Sequence, residues 1–354
     1  MFELEKYLDC LAHKKTPNSD ARRRKPPELD EDRWMMIRGN DFSIDASGKI
    51  ATSKALRRLG AKTQVMTKTI NAHVRKRLTH TFEVANIATF IARVLGLNED
   101  LCRAIAHGHD LGHAPFGHAG EAFISEITGK DFRHATFGVV IAQHIERQGE
   151  GLNLTHQALE GILAHSGNVE AVLGTTGVKI SEEAKVVKYS DKISFTLADA
   201  NDIFRRTRLL ELNSFPRIDK LLRRCGKNQR ERVEFFITGL CRESAEKGYV
   251  SFKTSKSARI FAELKHNMYK VYDLVNLQNS AEILGRVYSF LSKTPLIGDA
   301  DPALVLALMT DDDILYLYGK DYLNARDFHD CSVAEIIEYL RGKKIDFTDP
   351  DLNW

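Results

Sequence analysis

Ten of the thirteen histidines fall between His73 and His165. Histidine is the commonest metal ligand and the side chain best suited to proton transfer near neutrality. Within this stretch His109 and Asp110 are adjacent, with Gly108 and Gly112 around them to allow a tight helix end. A neutral imidazole beside a carboxylate suits a divalent cation with mixed nitrogen and oxygen ligands. Two ligands are too few, and His80 upstream and Asp191 downstream are the candidates for the rest. Asp191 sits in an otherwise apolar stretch, where a carboxylate is costly to bury unless paired or metal-bound. Each residue alone has a plainer reading. His80 could be a satisfied core or cap histidine, His109-Asp110 a chance pair, and Asp191 a solvated partner of Lys188 or Lys192. What points to a metal centre is the ordered set H, HD, D on three separate segments.

Those segments read as helices. Val84, Ile87, Ile91 and Val94–Leu95 recur at helical spacing after His80, and Gly96 supplies the stop. Asn98 then caps a second helix, with Leu101, Ile105 and Ala106 on its apolar side and His109-Asp110 at its end. Further helices are expected over Phe137–Glu146, Gln157–His165 and a long run from Ser181, as cap, to Thr207. The pattern continues through Val233–Leu240, Ser257–Leu274, Ala281–Leu291 and Pro302–Met309. Alternating strands of useful length are absent, so the expected fold is all-α. The chain divides into an irregular N-terminal segment (1–52), a helical core (53–210) and a helical C-terminal part packing on it (211–354).

Composition narrows the class of protein. A hydrophobic fraction of 43% with 28% charged residues is ordinary for a soluble globular chain. The net charge of +3 is too small to argue for nucleic-acid binding, and Arg22-Arg23-Arg24-Lys25 lacks the interleaved aromatics of a single-strand binding stripe. That run reads as a solvated basic segment. Five scattered cysteines without a CxxC pair read as reduced thiols in a cytoplasmic protein. Neither a signal peptide nor a membrane span is expected.

The order H…HD…D resembles the HD-domain metal-dependent phosphohydrolases. The surrounding words resemble their deoxynucleoside triphosphate triphosphohydrolase (dGTPase-like) branch: SKALRRLGAKTQV (53–65), HVRKRLTHTFEVANIA (73–88), LCRAIAHGHDLGHAPFGHAGE (101–121), GLNLTHQALEGILAHS (151–166) and AKVVKYSDKIS (184–194). Weaker similarity runs through FAELKHNMYKVY (261–272). The word AHGHDLGHAPFGHAGE is far more specific than a bare HD pair. The resemblance implies an HD-domain helical core with additional helices from the C-terminal half. It implies that His80, His109, Asp110 and Asp191 bind a divalent metal ion. Such ligands suit Mn²⁺ or Mg²⁺, and also Fe²⁺ or Zn²⁺.

The same resemblance implies roles around the metal. His113 and His118 face the α-phosphate and leaving group, His118 as general acid with Glu121 to orient it, and His134 is a further active-site histidine. Arg77 and Lys192 contact phosphate, Asp199 accepts the sugar 3′-hydroxyl, and Leu59 packs against the deoxyribose. Phe195 stands where the family usually has tyrosine, so a hydroxyl donor is missing beside the sugar. The chain is also short beside typical members, which implies that regulatory or subunit-contact insertions are trimmed.

The implied reaction hydrolyses dGTP or several deoxynucleoside triphosphates, through a metal-activated water, to deoxynucleoside and inorganic triphosphate. The implied assembly is a homo-tetramer or hexamer, with a nucleotide activator among its partners. The rival readings are an HD-type nucleotidase or phosphodiesterase on another nucleotide, and a nucleotide-sensing or single-strand nucleic-acid-binding protein that keeps the fold without turnover.

Overall fold

The computed structural model describes residues 3–26, 39–64, 71–167, 180–275, 279–320 and 324–354. Among these the chain is helical throughout, and β-pairing is confined to two isolated bridges, Arg23 with Thr155 and Thr63 with Lys76. The all-α expectation holds. None of the described helices is long and apolar enough to cross a membrane.

Local signals set the helices that matter most. A short helix α1 (Asp41–Ile44) begins at a capping box in which Asn40 accepts from the Phe42 and Ser43 amides, and it continues as a wider turn to Ile50. Helix α2 (Lys54–Arg58) is capped by Ser53. Helix α3 (Arg77–Leu95) stops at Gly96, whose φ of 76° is one that residues with a Cβ rarely adopt. Asn98 caps α4 (Glu99–Gly108) through the Leu101 amide. Next come α5 (His118–Thr128), α6 (His134–Val140) and α7 (His156–Ala164). Ser181 caps α8 (Glu182–Asn201) through the Ala184 amide. Helices α9 (Pro216–Cys225), α10 (Gln229–Lys247) and α11 (Lys256–Val275) follow, then α12 (Ser280–Leu291), α13 (Pro302–Leu308), α14 (Asp311–Tyr318), α15 (Ala325–His329) and α16 (Ala334–Leu340).

Two helices end differently from expectation. The stretch read as Phe137–Glu146 starts earlier, at His134, and loosens into a π turn over Ile141–Ile145. The long run from Ser181 likewise widens into a π turn over Asp202–Arg206, where Arg75 draws on the Asp202 carboxylate.

Apolar side chains gather into two cores. One joins α3, α4 and α8 with α9–α11, through residues such as Val84, Ile91, Leu101, Val187, Leu240 and Leu264. The other joins α2, α5 and α6 with α12–α16, through Leu56, Phe137, Leu284, Val305, Ile314 and Phe347. Residues 211–354 therefore divide between the two cores. Helix α7 serves both: Ala158 and Ala164 face the first core, while Leu159, Ile162 and Leu163 face the second.

Part of the N-terminal segment read as irregular is a structural element. Phe42, Ile44, Ala46 and Ile50 are fully or almost fully buried. The basic run is corrected at one residue: Arg22, Arg24 and Lys25 are exposed as expected, while the Arg23 side chain is buried. Its guanidinium donates to Asp41 at 2.8 Å, to Asp45 at 2.7 Å and to the Asn153 carbonyl at 2.6 Å. The other Asp45 oxygen accepts from the Thr155 amide and hydroxyl at 2.8 and 2.7 Å. A planar five-donor fork can be buried when its donors are matched in this way. Removing one partner of a buried pair strands the other charge, at a cost of about 3–5 kcal/mol. Asp45→Ala should therefore lower unfolding free energy by about that amount, read as a shift of the urea midpoint at constant m-value.

Candidate metal centre and cleft

Helix ends deliver the chemistry. His80 lies one turn into α3, His109 is the residue after α4, and Asp191 lies in the middle of α8. Their packing partners are one another's helices, so burial of the first core brings the three together. Asp191 Oδ1 lies 3.0 Å from His80 Nε2 and 3.7 Å from His109 Nε2, and His109 Nε2 lies 3.4 Å from Asp110 Oδ1. His80, His109 and Asp110 have ligand atoms mutually close enough for one ion, and Asp191 stands beside them.

The state of His109 tests whether a cation fits. Its Nδ1 donates to the Ala106 carbonyl at 2.7 Å, and a carbonyl only accepts, so this nitrogen carries the proton. In the neutral ring Nε2 would then be a lone pair, free for a metal ion. It is fully buried, has no hydrogen-bond partner and faces two carboxylate oxygens. A lone pair pointed at anions inside a protein is unfavourable unless a positive charge lies between them. The donor set fits a divalent cation. Burial opposes charge on Asp191, yet the hydrogen bond with His80 and the nearby imidazoles bring its pKa down to about 2.

A second group of side chains comes from the other core. His113 follows the HD pair, His118 opens α5, Glu121 lies one turn on, and His134 opens α6. Gly112 makes this convergence possible: a Cβ there would fall 2.1 Å from the His134 carbonyl oxygen and 2.2 Å from the Gly138 nitrogen. Glu121 was expected to orient His118. It instead bonds His134 Nδ1 at 2.8 Å and lies 3.2 Å from His113 Nδ1, the latter too oblique for a hydrogen bond. His118 is exposed at the mouth of the cleft, its ring centroid 6.1 Å from that of His134.

Hydrogen bonding settles the charge on His134. His165 Nδ1 donates to the Ile162 carbonyl at 2.6 Å, the same geometry as His109, which leaves its Nε2 as acceptor. His134 Nε2 lies 3.1 Å from that acceptor, and His134 Nδ1 faces the Glu121 carboxylate. Both His134 nitrogens are therefore donors, and the ring is an imidazolium. Burial works against its charge, but Glu121 outweighs burial and raises the pKa. His113 stacks on His134 at 3.8 Å; burial, then Arg77 and the charge on His134, push its pKa down to about 4. Three buried rings thus hold two distinct protonation states.

His80, Asp110, His113, His118, His134, His165 and Asp191 line a cavity of about 600 Å³, with His109 and Glu121 behind its wall. Arg77, Lys192, Phe195 and Asp199 also line it. Arg77 is tied to Asp110 by one nitrogen at 3.0 Å, while its buried Nε has no partner. Lys192 is brought down to about 8 by burial and by the neighbouring Lys265 and Lys188. Asp199 is buried in the wall and accepts from the Tyr272 hydroxyl at 2.8 Å.

Leu59 corrects the sequence reading. It is fully buried in the second core and is absent from the cavity wall, because the turn after α2 points its side chain inward. Thr63 and Gln64 of the same word reach the cavity in its place. Sequence reasoning also passed over His165, Tyr269, Tyr272 and Lys265. His165 closes the AHS end of a matching word, and the last three lie in or beside KHNMYKVY, so the signal was present but carried no assigned role. The Arg205-Arg206-Arg208 cluster stays out of the cavity; Arg206 pairs with Asp202 at the helix end.

The helical fold and the His/Asp cluster are those of an HD-domain protein, and comparison with known proteins agrees: the HD domain family model matches residues 77–196. A deoxyguanosinetriphosphate triphosphohydrolase-like protein of Desulfatibacillum aliphaticivorans is 35% identical over 269 residues, 75% of this chain and 74% of that protein. Proteins of the same description from Clostridium tetani (strain Massachusetts / E88) and Caldanaerobacter subterraneus subsp. tengcongensis are each 41% identical, over 205 and 211 residues. Those matches span 58% and 60% of this chain and only 57% and 59% of the two relatives. The chain belongs to the deoxyguanosinetriphosphate triphosphohydrolase-like family of HD-domain proteins.

His109→Ala removes the lone pair that has no other partner. It should abolish stoichiometric binding of a divalent metal, measured as metal per chain by mass spectrometry after desalting, while the far-ultraviolet helical signal is retained.

Proposed function

We propose that this chain hydrolyses deoxynucleoside triphosphates to deoxynucleoside and inorganic triphosphate. The observation that carries the reading is the lining of one cavity: the metal cluster, the cations Arg77, Lys192 and Lys265, and the buried Asp199–Tyr272 pair all face it. That layout suits a polyanion joined to a hydroxylated ring. A divalent cation held by His80, His109, Asp110 and Asp191, with Mn²⁺ or Mg²⁺ the best candidates, would supply Lewis acidity that lowers the pKa of water and polarises a phosphoryl oxygen.

The remaining work falls to the side chains. Arg77 and Lys192 orient the phosphates and offset their charge. His113, neutral beneath the His134 imidazolium, presents a polar ring without adding charge. His134 holds a proton against Glu121 inside the cleft. His118, at the exposed mouth of the same cluster, is placed to protonate the departing 5′-oxygen. Asp199 accepts the 3′-hydroxyl, and Phe195 packs against the sugar without the hydroxyl of its usual tyrosine.

Chromatography of reactions with each of the four deoxynucleoside triphosphates and Mn²⁺ or Mg²⁺ tests the reading. Deoxynucleoside with intact triphosphate is expected, and none of either with His109→Ala; inorganic phosphate as the product would instead make the chain a nucleotidase. The sugar end predicts a pH dependence. Burial raises the Asp199 carboxyl to about 7, against the Tyr272 hydrogen bond, so it is neutral below that pH and charged above it. The charged form is the stronger acceptor, so KM should fall as pH rises through about 7. Asp199→Asn should hold KM at its low-pH level across the range.

A further inference from the structure

Asp311, the first residue of α14, is buried and is absent from the cavity wall. Its carboxylate nonetheless holds two segments that are part of that wall. One oxygen accepts from the Thr63 amide at 3.0 Å and from the Thr63 hydroxyl. The other accepts from the Phe116 amide at 2.9 Å. Thr63 precedes Gln64, and Phe116 precedes Gly117 and His118.

The Phe116–Gly117 turn requires such a hold. Phe116 has φ 58°, in the left-handed region that a residue with a side chain keeps only when its surroundings impose it. Gly117 has φ 60°, and a Cβ there would come within 2.7 Å of Arg77 Nη2. The other end of the same segment is gripped as well: the buried Lys62 ammonium donates to the His113 carbonyl, and the Lys62 carbonyl accepts from the Arg77 amide at 3.0 Å. The backbone carrying His113 and His118 is thus fastened at one end by Lys62 and at the other by Asp311.

We propose that Asp311, reaching in from the C-terminal helices, is a positioning residue for the reaction: it sets the His113–His118 turn against the Thr63–Gln64 segment so that His118 meets the leaving group. The inference rests on the function proposed above for the identity of the reaction, while the clamp itself is a property of the folded chain. Displacement of a catalytic group by about 1 Å is enough to cost about a hundredfold in rate.

The test is Asp311→Asn, with Asp312→Asn at the exposed neighbouring position as control. An amide has one acceptor oxygen, so it cannot serve Thr63 and Phe116 together, and its NH₂ faces one of their N–H groups. The expected result is a kcat reduced by about ten- to a hundredfold with KM and metal per chain unchanged. Amide hydrogen exchange should rise in peptides covering 113–118 and not in those from α3 or α8, and the control should match the wild type. Unchanged exchange at 113–118, or unchanged kcat, overturns the proposal. Should Asp311→Asn fail to fold, Thr63→Val removes only the hydroxyl arm and must show the same pattern at smaller amplitude; its absence overturns the proposal equally. Should the wild type release no triphosphate, the functional reading falls, and exchange at 113–118 alone decides the clamp.

Discussion

A carboxylate buried at the junction of two cores is the constraint around which this molecule is built. Asp110 is 3% exposed, and burial alone would drive it neutral. It stays ionised because the Arg77 guanidinium and His113 Nε2 face it at 3.0 and 3.1 Å, with His109 Nε2 beside them at 3.4 Å, and its pKa lies well below the usual carboxylate range. Each of these comes from a different place: the start of α3, the loop after α4 and the end of α4 itself. The helices can pack in only one register if every partner is to reach that carboxylate. Buried polar clusters of this kind are severe tests of a fold, since a partly satisfied one costs more than an apolar core.

The histidines show how identical side chains are made unlike. His109 and His165 each donate a hydrogen bond from Nδ1–H to a carbonyl three residues earlier, which fixes the ring orientation and aims Nε2 inward. His134, meeting one such Nε2 and facing Glu121, is obliged to carry both protons. His113, stacked on that cation, is driven neutral. Helix-end geometry thus distributes protons across the cleft, and separated protonation states among adjacent groups are what acid–base chemistry near neutrality requires.

How much of this was legible in the chain depended on whether residue type or residue direction carried the information. A metal site demands specific side chains, so the grouping of His80, His109-Asp110 and Asp191 into one candidate centre could be read from type and order. Asn98, Ser181 and Gly96 act locally and announced their helix ends. Leu59 failed because a motif locates a turn without saying which way its side chain points. Arg23 looked solvated because its partners Asp41, Asp45 and Asn153 are distant in sequence or unremarkable in type. Asp311 was masked by Asp312 and Asp313, since three acids after Thr310 read as an ordinary helix start. Glu121 was assigned to the nearer histidine in sequence and serves the farther ones in space.

Helix α7 has two apolar sides, one committed to each core. Separating the cores would expose Leu159, Ile162 and Leu163, or else Ala158 and Ala164, to water, and would pull His165 away from His134. Loss of either core alone therefore exposes apolar surface on α7, which couples the stability of one core to that of the other. The His134–His165 contact lies at that same junction, so the proton arrangement of the cleft depends on the two cores staying packed on α7.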